Sequence, residues 1–183
     1  IKVESALHPD SSRYFGAYPG NKPDLESAGY YLHLNTSKLG ITINLKDPRG
    51  KDLVKHLAGK SEVLVENFSA GTMKDLGLDY DSIKEVNPEI IYLSNSGWGQ
   101  TGPHKNFVAF AANLEGLTGV SSINGFPEDQ PCVYSSVFFD WLSGIYGVFI
   151  VLAALRHKRK TGQGLYIDLA MTEAALTTMV KPL

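Results

Sequence analysis

The sequence is poor in features that mark several common protein classes. Its 183 residues include one cysteine, Cys132, which excludes an internal disulfide and is typical of a reducing compartment. The formal net charge is −2, so the chain offers no cationic surface suited to nucleic acid. No signal peptide is visible, and no uninterrupted apolar run is long enough to span a bilayer. We therefore expect a cytoplasmic protein with neither a nucleic acid nor a membrane as partner.

Three familiar site patterns are also missing. The five histidines are dispersed without the spacing of zinc ligands, so we expect no metal site. No G-x-S-x-G string is present to support a hydrolase triad. A G-x-G-x-x-G string does occur at residues 97–102, but P-H-K follows it and Glu115 comes too early to hold a ribose. We reject a dinucleotide fingerprint; these glycines allow either close approach to another ligand or tight turns.

What the sequence does contain is an alternation of short β-like runs and helical stretches. The runs predicted as extended lie at residues 1–4, 30–34, 41–45, 63–65, 90–93 and 165–169. Helices are predicted at residues 49–58, 71–76, 81–86, 106–117, 140–160 and 170–180, and a long loop at residues 5–28. The alternation predicts an α/β fold with a mostly parallel sheet flanked by helices. Ligands of such sheets bind beyond the carboxyl ends of strands, which favours residues 66–68 and 94–103.

The residues after the third β-like run have two interpretations. Asn67, Phe68 and Lys74 offer an amide, an aromatic face and an ammonium, which together suit an adenine and its phosphates. Equally, Phe68 is a core residue and Asn67 a turn residue in a purely structural interpretation. The residues alone do not decide between the two.

Asp140 is the most informative single residue, because it is a lone acid at the start of a long apolar segment. The next charge along the chain is Arg156. An acid at this place is either a helix N-cap, ionised in the field of the helix dipole, or a poorly hydrated nucleophile. Taken by itself, the residue favours the cap.

Several strings, in chain order, resemble the class III CoA-transferases, the family that includes formyl-CoA transferase and the carnitine CoA-transferases. They are I-K-V-E at 1–4, I-T-I-N-L-K at 41–46, V-L-V-E-N-F at 63–68, S-G-W-G-Q-T-G-P at 96–103, the Asp140 segment and K-T-G-Q-G at 160–164. The resemblance implies a Rossmann-like large domain from an interlocked homodimer. Residues 1–183 would form part of that CoA-binding, catalytic domain, without its first strand and without the small domain.

The resemblance also implies the site and its chemistry. Asp140 aligns with the family's nucleophile, which carries CoA from an acyl-CoA to a carboxylic acid through covalent aspartyl intermediates. Coenzyme A and acyl-CoA enter as substrates, and no permanently bound cofactor is expected. The residues expected to contact CoA are Ile43, Asn44, Leu45, Lys46, Asn67, Phe68, Ser69, Lys74, Gly97 and Gly99.

The sequence differs from the family at two phosphate-binding positions, and two alternative functions stay open. Ser5 stands where a family member can carry a phosphate-binding base, and Leu39 replaces a second cation, so the remaining lysines must anchor more of the phosphate. One rival is an α-methylacyl-CoA racemase on the same fold, which would need a histidine where this chain has F-V-A-F-A at 107–111. The other is a non-catalytic CoA-binding module in which Asp140 only caps a helix.

Overall fold

The chain folds into two compact units, Ile1–Val54 and Lys55–Leu183. The computed structural model describes residues 1–128, 130–134 and 137–179. The strands are β1 (Lys2–Glu4), β2 (Gly40–Thr42), β3 (Val63–Glu66), β4 (Ile91–Ser96) and β5 (Leu165–Ala170). The α-helices are α1 (Gly29–Leu34), α2 (Pro48–Gly59), α3 (Thr72–Leu76), α4 (Tyr80–Lys84), α5 (Ala111–Thr118), α6 (Phe138–Thr161) and α7 (Met171–Leu176). Short 3₁₀ helices occur at Ser11–Tyr14, Pro19–Asn21, Val120–Ile123 and Thr177–Met179.

The first unit contains a two-stranded parallel sheet. β1 pairs with β2 so that Val3 lies opposite Ile41. At the end of β1, the Glu4 carboxylate accepts a 2.7 Å hydrogen bond from the Arg13 guanidinium. This bond holds the pKa of Glu4 below its usual range. The loop predicted after β1 therefore folds back on the strand, and two of its segments form 3₁₀ helices.

Residues 30–34, predicted as extended, form α1, so that prediction was wrong. The Arg13 guanidinium lies 3.7 Å from the centroid of the Tyr31 ring and also donates a 2.7 Å hydrogen bond to the Tyr31 hydroxyl. The amide of Gly29, where α1 begins, donates to the Ala17 carbonyl at 2.9 Å. These tertiary contacts outweigh the β propensity of an aromatic run, which is strongly context-dependent.

The strand predicted at residues 41–45 ends earlier, at Thr42, because a tight turn follows it. The side-chain oxygen of Asn44 accepts the Lys46 amide at 3.0 Å. α2 then begins at Pro48, whose fixed φ suits the first helical turn. A Cβ on Gly50 would lie 2.1 Å from the Asn44 carbonyl oxygen, so glycine is what lets the turn approach the helix.

The second unit contains a three-stranded parallel sheet in the order β3-β4-β5. Ile91, Tyr92 and Leu93 of the central strand β4 are at most 3% exposed, as the continuous apolar run predicted. One face of the sheet packs Leu93 and Leu169 against α6 and α7. On the other face the Tyr80 ring of α4 stacks on Tyr166, with centroids 5.3 Å apart. The predicted α/β class, with parallel sheets flanked by helices, is confirmed.

α6 is the long apolar helix expected after Asp140, and it spans 24 residues. Its inner face lies close to the sheet: a Cβ on Gly147 would sit 3.3 Å from the Leu93 side chain. Its outer face is exposed. Within the part of the chain that the structure describes, α6 is the one helix long and apolar enough to cross a membrane, a test that core helices of soluble proteins also pass.

Two other helices differ from their predicted bounds. α5 begins at Ala111, five residues later than predicted, after a turn in which the Phe107 amide donates to the His104 carbonyl at 2.8 Å. The helix predicted at residues 170–180 is α7 followed by a 3₁₀ turn that ends at Met179. The last predicted residue, Val180, lies outside the described residues.

We predict that Gly164→Ala destabilises the second unit. A Cβ there would lie 2.4 Å from the Ile90 carbonyl oxygen, at the point where the Leu165 amide donates to that same oxygen. Because backbone cannot move aside as a flexible side chain does, we expect a loss of about 1–3 kcal/mol in unfolding free energy. Urea denaturation measures it. Gly116→Ala is the control, because Gly116 lies in α5 with no neighbour within 4 Å; an equal loss in the control would contradict the steric explanation.

Candidate active site

A row of polar side chains crosses the carboxyl end of the second-unit sheet. The strand register places Glu66 of β3 opposite Ser94 of β4, and Ser94 opposite Asp168 of β5. Residues opposite each other in a parallel sheet present their side chains on the same face. Two carboxyl groups therefore flank one serine at the edge where ligands of parallel sheets bind.

Glu66 is a buried acid, with 7% of its surface exposed. Burial raises the pKa of its carboxyl above the usual range, and the charge of Asp168 acts in the same direction. Hydrogen bonds from the Ser94 hydroxyl and the Phe68 amide oppose that rise without cancelling it. The Phe68 amide lies 2.8 Å from the Glu66 carboxylate, so this acid also shapes the turn that leaves β3.

In the segment after β3, one side chain predicted to bind a ligand forms a hydrogen bond within the protein instead. The Asn67 side-chain amide donates to the main-chain carbonyl of Asn95, which agrees with the structural interpretation of that residue. Phe68, by contrast, is 45% exposed and does not lie in the core. Ser69 and Lys74 are exposed as well, and Lys74 lies on α3. An aromatic face and an ammonium thus remain accessible in this segment.

The glycine loop (residues 97–102) is held at two points. The Gln100 amide donates to both carboxylate oxygens of Asp168 at 3.0 Å, and the Gln100 side-chain oxygen accepts the Gly71 amide at 3.1 Å. Gly99 has a φ of 80°, which strongly favours glycine. A Cβ on Gly97 would lie 2.1 Å from the Ala109 Cβ, so packing explains this glycine.

The glycine loop also borders a cleft of about 290 Å³. The lining comes from the loop itself, the turn after it, the end of β5 and the start of α7: Trp98, Gly99, Thr101, Gly102, Pro103, His104, Asp168, Ala170, Thr172 and Glu173. The helix that follows, α5, begins only at Ala111, so the loop does not present a helix N-terminus to a phosphate. This agrees with the rejection of a dinucleotide fingerprint.

Asp140 is the third residue of α6, and Val137 is the N-cap residue. Asp140 is therefore not the N-cap, which corrects the structural interpretation of this acid. Its side chain is exposed, yet the surrounding protein displaces enough water to raise the pKa of its carboxyl. No described lysine, arginine or histidine forms an ion pair with it. The result is an accessible carboxyl group that the neighbouring protein partly desolvates.

Two partly buried hydrogen bonds fix the Asp140 turn to the sheet. The Ser143 hydroxyl, which is fully buried, donates to the Asp140 carbonyl at 3.2 Å. The Asn95 side-chain amide of β4 donates to the Ser143 hydroxyl at 3.3 Å. Since Asn67 in turn donates to the Asn95 carbonyl, a continuous path of hydrogen bonds runs from the end of β3 to Asp140.

Unpartnered polar atoms concentrate at the same edge. Asn95 Oδ1, Ser96 Oγ and Trp98 Nε1 are buried and have no hydrogen-bond partner among the residues that the structure describes. Buried polar atoms in native proteins are almost always paired, often with water or a ligand. Three such atoms within four residues mark the carboxyl end of β4 as a place where further groups are accommodated.

The structure gathers most, not all, of the predicted site residues into one unit. Those in the second unit are Asn67, Phe68, Ser69, Lys74, Gly97, Gly99 and Asp140. Ile43, Asn44, Leu45 and Lys46 lie in the first unit, where the Ile43 side chain is buried and Lys46 is exposed. Sequence reasoning missed Ser143 and Asp168, although their position within otherwise apolar elements is a usable signal. No cluster of metal-ligating side chains occurs in residues 1–128, 130–134 and 137–179.

Comparison with known proteins identifies relatives of the chain. A family model described as CoA-transferase family III matches residues 1–183. A succinate–glutarate CoA-transferase from Agrobacterium fabrum is 38% identical over 94% of this chain and 44% of its own length. The beta subunit of a succinyl-CoA–L-malate CoA-transferase from Chloroflexus aurantiacus is 37% identical over 95% of this chain and 42% of its own. The crystal structure of a CAIB/BAIF family protein from Brucella suis superposes with a TM-score of 0.88 at 31% identity, over 97% of this chain and 47% of that one. The chain thus spans less than half the length of these relatives.

We predict that Glu66→Gln changes stability in a pH-dependent way. Because the folded pKa of Glu66 lies above its unfolded value, the ionised carboxylate opposes folding. The stability that neutral Glu66 contributes is lost as pH rises through the folded pKa. Glutamine stays neutral, so the variant should gain stability relative to the wild type as pH rises from about 4 through the folded pKa of Glu66.

Urea denaturation across that pH range measures the difference. Glu62→Gln removes an exposed acid from the same chain segment and controls for the loss of one surface charge. A difference that does not depend on pH, or one of equal slope in the control, would contradict the account of a buried acid.

Proposed function

The chain belongs to CoA-transferase family III, and we propose that the complete protein carrying it transfers CoA from an acyl-CoA to a carboxylic acid. Residues 1–183 would form part of its large, CoA-binding domain. The observation that carries the proposal is the Asp140 carboxyl group, which is accessible, partly desolvated and fixed at the start of α6. Activated acyl chemistry needs such a group, because desolvation makes a carboxylate a stronger nucleophile.

The proposed reaction keeps the energy of the thioester throughout. The Asp140 carboxylate attacks the donor thioester carbonyl, which forms a mixed anhydride and expels CoA thiolate. The thiolate then attacks the aspartyl carbonyl, which gives an aspartyl-CoA thioester and releases the donor acid. The acceptor carboxylate attacks that thioester, which expels CoA thiolate again and forms a second anhydride, and the thiolate finally attacks the acceptor's acyl carbon. The new acyl-CoA leaves, and the Asp140 carboxylate is restored.

Water must be kept from these intermediates. Of the aromatic residues beside Asp140, one packs in the core and two are placed to shield the acyl group. Phe139 is fully buried and packs in the core with Leu114 and Met171. Phe138 is partly buried and meets the Tyr134 ring edge-on, with the two centroids 5.0 Å apart. Trp141 is 49% exposed. We propose that Phe138 and Trp141, rather than Phe139, limit the access of water to the acyl group.

CoA itself would lie along the carboxyl edge of the sheet. The exposed Phe68 ring offers a stacking surface for adenine, and the exposed Lys74 ammonium offers a partner for phosphate. The Ser69 hydroxyl is exposed in the same segment. The backbone of the glycine loop, near Gly97 and Gly99, would face the acyl end. The contacts expected from residues 43–46 rest on the family resemblance alone.

The racemase alternative lacks a second base. Proton exchange at an α-carbon needs two groups that face each other across the substrate. Residues 107–110 supply no ionisable side chain. The nearest histidine, His104, packs its ring against Phe107 with the centroids 4.6 Å apart and against Trp98 at 5.7 Å. The transferase therefore remains the better-supported reaction.

The outer face of α6 supports a second proposal, that the protein is a homodimer. Four large apolar side chains along this helix are 60–70% exposed, at the i, i+3, i+4 and i+7 spacing of one helical face: Ile145, Val148, Phe149 and Leu152. An apolar stripe of this length is typical of an interaction surface. We propose that it packs against a second copy of the chain, in a soluble cytoplasmic enzyme, rather than against lipid.

We predict that Asp140 is covalently acylated. The complete protein is incubated with succinyl-CoA, quenched with hydroxylamine and digested, and the Asp140 peptide is analysed by mass spectrometry. A hydroxamate should form at Asp140 only when acyl-CoA is present. Asp140→Asn should lose the hydroxamate and at least about 10³-fold of the transfer rate, with a change of less than about 1 kcal/mol in unfolding free energy.

Asp52→Asn is the matched control, because Asp52 is an exposed acid on α2. It should retain both the hydroxamate and the rate. CoA binding without any modification of Asp140, across a panel of acyl-CoAs, would favour the binding module or the racemase.

We predict that Phe149→Glu dissociates the homodimer. A charge at a side chain that is 70% exposed costs little in the monomer but is expensive in a buried interface, so the dissociation constant should rise at least about 100-fold. Light scattering after size-exclusion chromatography measures the mass. Leu53→Glu, at an apolar position of α2 that is 56% exposed and outside the stripe, should leave the dimer intact. A monomeric wild type, or assembly only with a non-identical chain, would contradict the proposal.

A further inference from the structure

Asp168 lies at the edge of the proposed active site without a role in the chemistry above. It is the residue of β5 that stands opposite Ser94. Both of its carboxylate oxygens accept the same donor, the Gln100 amide, at 3.0 Å. A carboxylate that accepts a backbone amide forms a charge-assisted hydrogen bond, about twice as strong as a neutral one. Asp168 therefore fixes the backbone of the glycine loop at its centre.

The conformation of Gly99 favours the hydrogen bond between the Gln100 amide and Asp168. Gly99 adopts a φ of 80°, and a Cβ on it would lie 3.5 Å from the Asp168 carboxylate. The positive φ turns the chain so that the next amide, that of Gln100, meets the acid. A loop held in this way has few accessible backbone conformations, so less conformational entropy is lost when a ligand binds.

The Gln100 side chain also connects the glycine loop to the segment that contains Phe68 and Lys74. Its side-chain oxygen accepts the Gly71 amide at 3.1 Å. Gly71 has a φ of 83° and is the N-cap residue of α3, the helix that presents Lys74. Gly71 also lies three residues after Phe68. One side chain thus links the glycine loop to the segment that bears the exposed aromatic ring and ammonium.

We propose that Asp168 and Gln100 are positioning residues for CoA: they join the glycine loop to the start of α3, so that the two ends of the CoA site keep a fixed separation. We call this connection, from Asp168 through Gln100 to Gly71, the latch. The inference rests on the proposed function, since the two joined segments are those assigned to the acyl and nucleotide ends. It adds residues that act through the backbone of the two segments and not through the reacting atoms.

The test measures the dissociation constant of free CoA by titration calorimetry on the complete protein. Gln100→Ala removes one neutral hydrogen bond between the segments and should weaken binding about two- to tenfold. Asp168→Ala removes a charged acceptor and should weaken it about ten- to 100-fold. Asp168→Asn keeps one accepting oxygen and should recover most of that loss. Because both residues act through one connection, the double alanine variant should weaken binding by less than the product of the single effects.

Amide hydrogen exchange provides a second readout that does not depend on ligand. The Gly71 and Gln100 amides should exchange slowly in the wild type, and the Gly71 amide should exchange faster in Gln100→Ala. Gln163→Ala, at an exposed glutamine beyond α6, is the control and should change neither readout.

The outcomes separate the latch from the proposed function. Faster exchange at Gly71 with unchanged CoA affinity would show a merely structural contact and overturn the latch. Fast exchange in the wild type would overturn it as well. A wild type that binds CoA but is never modified at Asp140 would overturn the proposed transferase, while the latch would still be judged by CoA affinity.

Discussion

The parallel register of β3, β4 and β5 is the constraint on which the rest of the second unit depends. It aligns Glu66, Ser94 and Asp168 in one row and so decides which polar groups meet at the carboxyl edge. The register is specified by polar groups on one face of β4: the buried Tyr92 hydroxyl donates to the Leu78 carbonyl at 2.9 Å, and Ser94 stands between the two acids. A slip of one residue would reverse which face each side chain occupies and would separate Glu66 from the Ser94 hydroxyl.

The position of Asp140 follows from the same strand through the helix that packs on it. Ser143 and Gly147 are four residues apart, so both lie on the inner face of α6. Gly147 approaches Leu93, and Ser143 bonds to Asn95, two residues further along β4. Asp140 precedes Ser143 by one turn and thus lies at the end of the strand, exposed but close enough to protein to lose part of its hydration. The packing of α6 on β4 therefore determines where the Asp140 carboxyl group lies and how strongly its pKa is raised.

Sequence reasoning worked where a local pattern carries the information. The apolar runs at residues 63–65 and 90–93 identified two strands, and the strand-end rule pointed to the segments that hold Glu66 and Asn95. It failed at Tyr31, whose helix depends on Arg13, a partner that no local pattern reveals. Asp168 and Ser143 were missed because their partners are set by strand register and helix packing. Asp140 was found from its surroundings, but its place in the helix needed the structure.

If Asp140 is the covalent nucleophile, oxygen from the acceptor acid must pass through its carboxylate, and isotope labelling tests this most directly. The complete protein would turn over succinyl-CoA with an acceptor acid whose carboxylate carries ¹⁸O, and the Asp140 peptide would then be weighed. In the anhydride route the bridging oxygen of the second anhydride comes from the acceptor and stays on the aspartate when CoA leaves with the acyl group. We expect ¹⁸O in the Asp140 carboxylate after turnover, and only when both substrates are present. Full transfer of CoA with no label on Asp140 would contradict the covalent mechanism.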